Sequence, residues 1–498
     1  MSLSRNFLAG MASSVWSALV GLAVVPLYLK YLGIEAYGLI GFFGTMQAML
    51  ILLDMGLAPT INREVARHSA KGSLIESGRL LHSFALVYWG MAACIALLIC
   101  ILAPLIAEHW LQNKHLPQQT IQHSVMLMGF VIACRWPVGL YQGALMGAQR
   151  MAVASAVSIS ITTLSSLGAI TILAFVSPTI EAFFVWQAGV GLLNALIMRF
   201  SAWRIIGRLK KLRFDVGVLK HTWRFSIGMS GIAILGTILM QLDKVLLSRM
   251  ISLEDFGRYT LASMVVGGVA SIFIFPAFSA IYPRFSALAS TGNEEHLIRL
   301  YRFGTRLLGS TLFPVAFTVV FFANDLLFVW TGNLELAKNT AQLLKPLIIA
   351  TSIHGVMHFP YALQLAYGMA GLCFRIALIL LIIMVPLIVL LTLNYGALGG
   401  AFAWLILNLI YLPMGAWLTH RQLLKGLALK WLFKDVCLPF VFSALLVGSG
   451  ELLLAAQNWG HYIRLLCAGG FAVSAMLILI SVSPQLRTWI LDNYHQKL

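Results

Sequence analysis

Four groups of polar residues in this sequence recur at helical spacing inside otherwise apolar stretches. Arg135, Gly139, Gln142 and Gln149 fall on one helical face. A guanidinium there can hold an anionic group with a planar fork of donors, or it can form a structural ion pair with Asp243 or Asp54. Ser230, Thr237, Gln241, Lys244 and Ser248 follow one another at steps of 7, 4, 3 and 4, which makes a second polar stripe. Lys244 stands near the end of that stripe, where it reads as an anion contact or as a lysine reaching the membrane surface. Asp243 lies about 100° off the same face. It suits an ion pair with a neighbouring helix, or a group that titrates. Gln47 and Asp54 are two turns apart, and Asp54 is close enough to Arg63 for a structural interlock. Thr351, His354, His358 and Tyr361 step by 3, 4 and 3. The histidine pair has a metal-ligand spacing, but HExxH and a third ligand are missing, so the reading is a polar, proton-sensitive lining. No paired catalytic carboxylates and no nucleophile with its base accompany these groups, so the chain is not read as an enzyme.

The elements that position these residues must be membrane helices. Of 498 residues, 60% are hydrophobic and only 10% charged, against roughly 25% charged in soluble domains. A helix needs about 20 apolar residues to cross the hydrocarbon layer, and such stretches recur along the whole chain. Only helices or closed barrels satisfy their backbone in lipid, and the short alternation of strands is absent. The spacing predicts an all-α polytopic protein with fourteen spans near 7–29, 36–60, 80–107, 120–147, 151–176, 180–200, 223–248, 256–282, 305–330, 341–369, 373–393, 398–419, 436–456 and 462–483.

The formal net charge is +17, yet its distribution excludes a nucleic-acid binder. With both termini cytoplasmic, 25 of the 34 lysines and arginines fall in inner loops or the span ends beside them, seven in outer loops or the span ends beside them, and two, Arg135 and Lys244, are counted within spans. That asymmetry follows the positive-inside rule. The run from Arg199 to Arg224 forms a basic linker suited to anionic lipid. The six cysteines make no CxxC pair and sit in or beside spans, as small apolar residues do.

An internal repeat divides the spans. Phe7-Leu-Ala-Gly10-Met11 recurs as Phe225-Ser-Ile-Gly228-Met229, Glu35-Ala-Tyr37-Gly38 as Glu254-Asp-Phe256-Gly257, and Trp136-Pro137 as Phe359-Pro360. The offset stays between 218 and 223. Six spans separate each pair, so the halves keep one orientation, and parallel repeats place a substrate path between them. The expected organisation is a lobe over 1–212, a second over 213–425, and two further spans over 426–498.

Several motifs resemble bacterial polysaccharide flippases of the Wzx type, within the MOP superfamily that also holds multidrug exporters and peptidoglycan-precursor flippases. They are Asn6-Phe-Leu-Ala-Gly10, Pro26-Leu-Tyr-Leu-Lys30-Tyr-Leu-Gly33, Leu53-Asp54-Met-Gly56-Leu57, Gly143-Ala-Leu-Met-Gly147-Ala-Gln149-Arg150 and Gln241-Leu-Asp243-Lys244. The resemblance runs over roughly residues 6–370. It implies two six-helix lobes around a central cavity, alternating access, and an undecaprenyl-diphosphate-linked glycan as cargo at a bacterial inner membrane. It also implies membrane lipids and the polysaccharide polymerase and chain-length machinery as partners, no nucleic acid, and no cofactor beyond a proton or sodium gradient. On this reading the substrate-facing candidates are Arg135, Gln142, Gln241, Lys244, His354 and His358, while Asp54 and Asp243 are coupling or ion-pair candidates. The alternatives are a small-molecule exporter of the same superfamily and, in a different class, a membrane glycan polymerase or ligase. The short outer loops oppose the last.

Overall fold

The computed structural model describes the backbone of residues 3–54, 56–70, 74–207 and 216–483. Arg208, Lys210, Lys211 and Arg213 of the basic linker and the terminal Arg487 and Lys497 lie outside the described residues, as do the side chains of Arg5, Lys220, Arg224 and Ser230. Contacts divide the chain into two compact units, Met1–Gly257 and Arg258–Leu498.

The first unit holds α1 (Leu3–Leu50), α2 (Leu57–Ala70), α3 (Leu74–Leu105), α4 (Gln118–Gly147), α5 (Met151–Phe175), α6 (Ile180–Ile206) and α7 (Val216–Met250). At 1.5 Å per residue α1 would reach about 72 Å, more than twice the hydrocarbon thickness of about 30 Å. It therefore serves as two spans, and Gly33 breaks it with φ 78° and ψ 172°, a backbone state that only glycine adopts cheaply. The sequence places a loop there; the chain instead bends within one continuous element.

A second difference follows at once. The predicted span 36–60 stops at Leu50, passes through a short 3-10 turn, Ile51–Asp54, and gives way to the separate helix α2. Leu57, Ile61 and Val65 recur every four residues and are buried, whereas charged residues occupy the other face. α2 lies against α4. Gly143 and Gly147 make that approach possible: a Cβ at Gly147 would overlap the Asn62 carbonyl and stand 2.9 Å from Val65 Cβ. Small residues four apart bring helix backbones close in membranes. Around this contact Leu81, Phe84, Tyr88, Leu140, Tyr141 and Met198 complete a buried core from α2, α3, α4 and α6.

The repeated motif has a structural counterpart inside this unit. The first turn of α8 (Leu253–Ser290) crosses α1 so that a Cβ on Gly38 would overlap the Leu253 carbonyl, and one on Gly257 the Ile34 carbonyl. Two copies of one sequence pattern thus face each other, each contributing the glycine the other needs. Glu35 is buried here and accepts the backbone N–H groups of Lys114 at 2.7 Å, His115 at 3.0 Å and Leu116 at 3.2 Å. Leu253 N donates to Gln112 O at 2.8 Å, and Lys114 pairs with Glu254 at 3.4 Å. This side of the unit is called the Lys114 end below.

The second unit continues with α9 (Glu294–Phe321), α10 (Ala323–Thr331), α11 (Leu334–Ala366), α12 (Ala370–Tyr395) and α13 (Ala397–Gln422). A turn of helix, α14 (Ala428–Trp431), then runs through a π-helical segment, Leu432–Cys437, into α15 (Leu438–Ala455), and α16 (His461–Val482) closes the described chain. Among the described residues eleven helices are long and apolar enough to cross a membrane. With α1 read as two spans, and with α7 (35 residues) and α11 (33 residues) added, fourteen membrane-length segments result. No strand occurs among the described residues.

Candidate functional site

α4 carries Arg135 roughly 26 Å from its start and about 18 Å from its end, near the middle of a span. Its side chain enters a cavity of about 640 Å³ within the first unit, formed by α1, the 3-10 turn, α2, α4, α5 and α6. Gln47, Asp54, Gly139, Gln142, Thr162, Ser165, Ser166 and Asn194 line the same space. The sequence stripe Arg135–Gly139–Gln142 therefore converges with the separate pair Gln47 and Asp54. Gln149 departs from the stripe: it lies beyond the end of α4, in a turn, with φ 55°.

Three neighbours hold the guanidinium. Nη2 donates to Gln187 Oε1 at 2.6 Å, and the same oxygen accepts from Ser165 Oγ at 2.7 Å. The Phe43 ring faces the guanidinium with its centroid 5.5 Å away. On α6, Gly191 leaves room, since a Cβ there would already sit 3.3 Å from Arg135 Cγ. Arginine has five N–H donors, and Gln187 takes one. Among the described residues no carboxylate comes within ion-pair distance of Arg135, so the structural pairing with Asp54 or Asp243 is not formed. Asp54 instead accepts the Ala58 N–H at 3.2 Å, capping α2, and takes the Tyr88 hydroxyl. Its expected interlock partner Arg63 pairs with Glu64 at 2.6 Å.

Two residues of the lining also carry a buried polar atom. Trp136 Nε1 and Asn194 Oδ1 belong to lining residues and have no hydrogen-bond partner among the described residues. Buried donors and acceptors are nearly always paired in stable folds. The cation shares this polar space with the Gln47, Gln142, Thr162 and Ser166 side chains, a set that suits a ligand rich in hydroxyl and phosphate oxygens.

The other predicted site residues lie elsewhere. Gln241, Asp243 and Lys244 of α7 do not line the Arg135 cavity. Asp243 is buried and pairs with Lys244 at 3.5 Å, while Lys244 Nζ also reaches the Met240 carbonyl at 3.4 Å. Ser248, the last member of that stripe, accepts from Trp110 Nε1 at 3.0 Å. In the second unit His354 Nδ1 lies 2.9 Å from Asn408 Oδ1, and Asn408 Nδ2 donates to the Trp404 carbonyl at 2.8 Å. That arrangement assigns the proton of His354 to Nδ1. His358 Nδ1 donates to the His354 carbonyl at 3.2 Å. Trp404 and Tyr411 surround His354, and Phe275 and Phe278 flank His358. Among the described residues no group of three or more His, Cys, Asp or Glu could hold a metal ion.

Sequence reasoning missed Gln187, Trp136 Nε1 and Asn194. The available signal for Gln187 and Asn194 was an amide inside an apolar span, which a single sequence does not connect to Arg135 across 52 or 59 positions.

The family described as "Polysaccharide biosynthesis protein" matches residues 3–289. Among solved structures, the lipid II flippase MurJ in an inward closed conformation matches with TM-score 0.68 and 15% identity, over 96% of this chain and 98% of that one. An inward-facing multidrug resistance MATE family transporter of the MOP superfamily matches with TM-score 0.66 and 13% identity, over 89% and 96%. A mutant of the Vibrio cholerae MATE transporter VcmN gives 0.58 and 15%, over 86% and 98%. No curated protein sequence matches the chain. At these identities the structural likeness establishes the fold, which is that of MOP-superfamily transporters.

Proposed function

The chain belongs to the polysaccharide biosynthesis protein family, and from that premise we propose that it flips an undecaprenyl-diphosphate-linked oligosaccharide from the cytoplasmic to the periplasmic leaflet of a bacterial inner membrane. The product would feed surface polysaccharide of the O-antigen kind. A glycan headgroup cannot cross hydrocarbon unaided, because each unsatisfied polar group costs several kcal/mol there. The protein must offer a polar space for the headgroup while the lipid tail stays in the bilayer.

The observation that carries this reading is Arg135: a mid-span guanidinium, without an acid partner among the described residues, oriented by Gln187 and Phe43 in a cavity lined by amide and hydroxyl side chains. Guanidinium and phosphate form charge-assisted, bidentate contacts. Gln142 and Asn194 then suit sugar hydroxyls. Alternating access of the lobes 1–212 and 213–425 would move the cargo, with 426–498 as an added helix pair. Both termini would be cytoplasmic, and the Lys114 end would face the periplasm. A proton or sodium gradient would drive the cycle, and Asp243, His354 and His358 are the groups to test for it. The polymerase and chain-length machinery would act on the delivered unit.

Deleting the gene in its own host tests the reading. Lipid-linked glycan should accumulate in the inner leaflet and surface polysaccharide should disappear. Normal surface glycan together with new sensitivity to small cationic drugs would instead identify an exporter.

A further inference from the structure

A second crevice, of about 580 Å³, opens in the first unit between α1, α3 and α7. Its walls are hydrocarbon: Met46 and Met49 from α1, Leu102 and Leu105 from α3, and Val245 from α7. The polar members come from the ends of elements at the Lys114 end, where α3 finishes in a π-helical turn at Trp110 and α7 finishes at Met250. Arg249 is exposed there, its guanidinium 5.4 Å from the Trp110 ring centroid. Its backbone is fixed as well, since the Arg249 carbonyl accepts Gln112 Nε2 at 2.9 Å. Among the described residues no carboxylate forms an ion pair with Arg249. An apolar slot therefore ends in a positioned cation without a counter-charge.

We propose that this crevice holds one hydrocarbon chain of an anionic bilayer phospholipid, with the lipid phosphate seated on Arg249. Four arguments select that occupant. Peptide is excluded at this depth because its backbone groups would go unsatisfied against such walls. The volume lies in the range of small-ligand sites, about 300–1,000 Å³, and suits one chain. Methionines adapt their shape to a flexible chain. An arginine at the membrane surface attracts lipid phosphate. The end of α1 and the 3-10 turn after it place Gln47 and Ile51 at the Arg135 cavity, while Met46 and Met49 of α1 line this crevice. The helix separates the two spaces, so the crevice lipid is a molecule distinct from a headgroup held at Arg135. This inference rests on the membrane fold and not on the identity of the cargo.

The test uses the full-length protein, purified in detergent and stripped of lipid, then titrated with phosphatidylglycerol or phosphatidylcholine of identical chains and read by native mass spectrometry. Phosphatidylglycerol should be retained about fivefold more, the factor that corresponds to about 1 kcal/mol for one cation at a membrane surface. Arg249→Gln, at an exposed position, should bring the ratio close to one. Leu105→Trp, also exposed at 56%, should reduce retention of both lipids alike by filling the slot. An unchanged ratio in Arg249→Gln would overturn the proposal, as would equal retention of the two lipids by the native protein. Displacement of phosphatidylglycerol by undecaprenyl phosphate at equal concentration would also overturn it, assigning the crevice to a polyprenyl chain.

Discussion

Removing the charge of Asp435 should destabilise the second unit strongly. Asp435 sits in the π-helical turn before α15 and is fully buried. Arg302 approaches it in a fork, Nε to Oδ2 at 2.7 Å and Nη2 to Oδ1 at 3.1 Å, and Arg306 Nε adds a contact to Oδ1 at 2.5 Å. The side chains of both arginines are at most 16% exposed. Asp435→Asn keeps the shape and leaves two guanidiniums facing each other without a counter-charge. Breaking a buried ion pair from one side costs about 3–5 kcal/mol. For a unit of this size that corresponds to a loss of roughly 10 °C in melting temperature. Thermal unfolding of the purified protein in one detergent would measure it, alongside Arg306→Gln and the double variant. The double variant should lose less than the sum of the singles, because the second change removes one of the two orphaned cations. If Asp435→Asn melts within about 1 °C of the native protein, the clasp does not hold α15 to α9.

Three further outcomes follow from the geometry. Gln187→Glu should convert the orienting amide of Arg135 into an ion-pair partner, so the protein should accumulate normally while transport falls at least about tenfold, the equivalent of about 1.4 kcal/mol; full transport would show that the cation is not used free. Gly147→Ala should push α2 off α4 and cost about 1–3 kcal/mol by overpacking, whereas Gly139→Ala, with nothing within 4 Å of its new Cβ, should unfold with the native protein; equal melting of both variants would refute the close-packing argument. Reporter fusions near Lys434 should read cytoplasm and one near Glu335 periplasm, and the opposite result would reverse the assigned orientation.

How much of this could be read from sequence depended on the range of the interaction. Hydropathy located the spans because burial in lipid is a property of each segment alone. The face shared by Arg135, Gly139 and Gln142 was legible for the same reason: helical spacing is local. α2 was hidden because Leu57, Ile61 and Val65 continue the apolar run of the preceding span, and only packing on α4 separates the two. Two members of the α7 stripe meet partners that spacing does not announce, Lys244 with its neighbour Asp243 and Ser248 with Trp110. Arg302 and Arg306 read as ordinary inner-loop charges. Their bond to Asp435 joins positions 133 and 129 apart, which no periodicity encodes.

The central claim is that Arg135 meets the cargo's diphosphate, and transport by reconstituted vesicles measures it most directly. The purified protein is inserted into liposomes carrying a lipid-linked oligosaccharide, and the fraction reaching the opposite leaflet is followed for the native chain, Arg135→Lys and Arg135→Ala. Loss of a bidentate charge-assisted contact removes about 1.5–3 kcal/mol, or roughly 10- to 150-fold in rate. Arg135→Ala should fall by that factor at unchanged melting temperature, and Arg135→Lys should lie between, since it keeps the charge and loses the fork. Native flipping by well-folded Arg135→Ala would contradict the account.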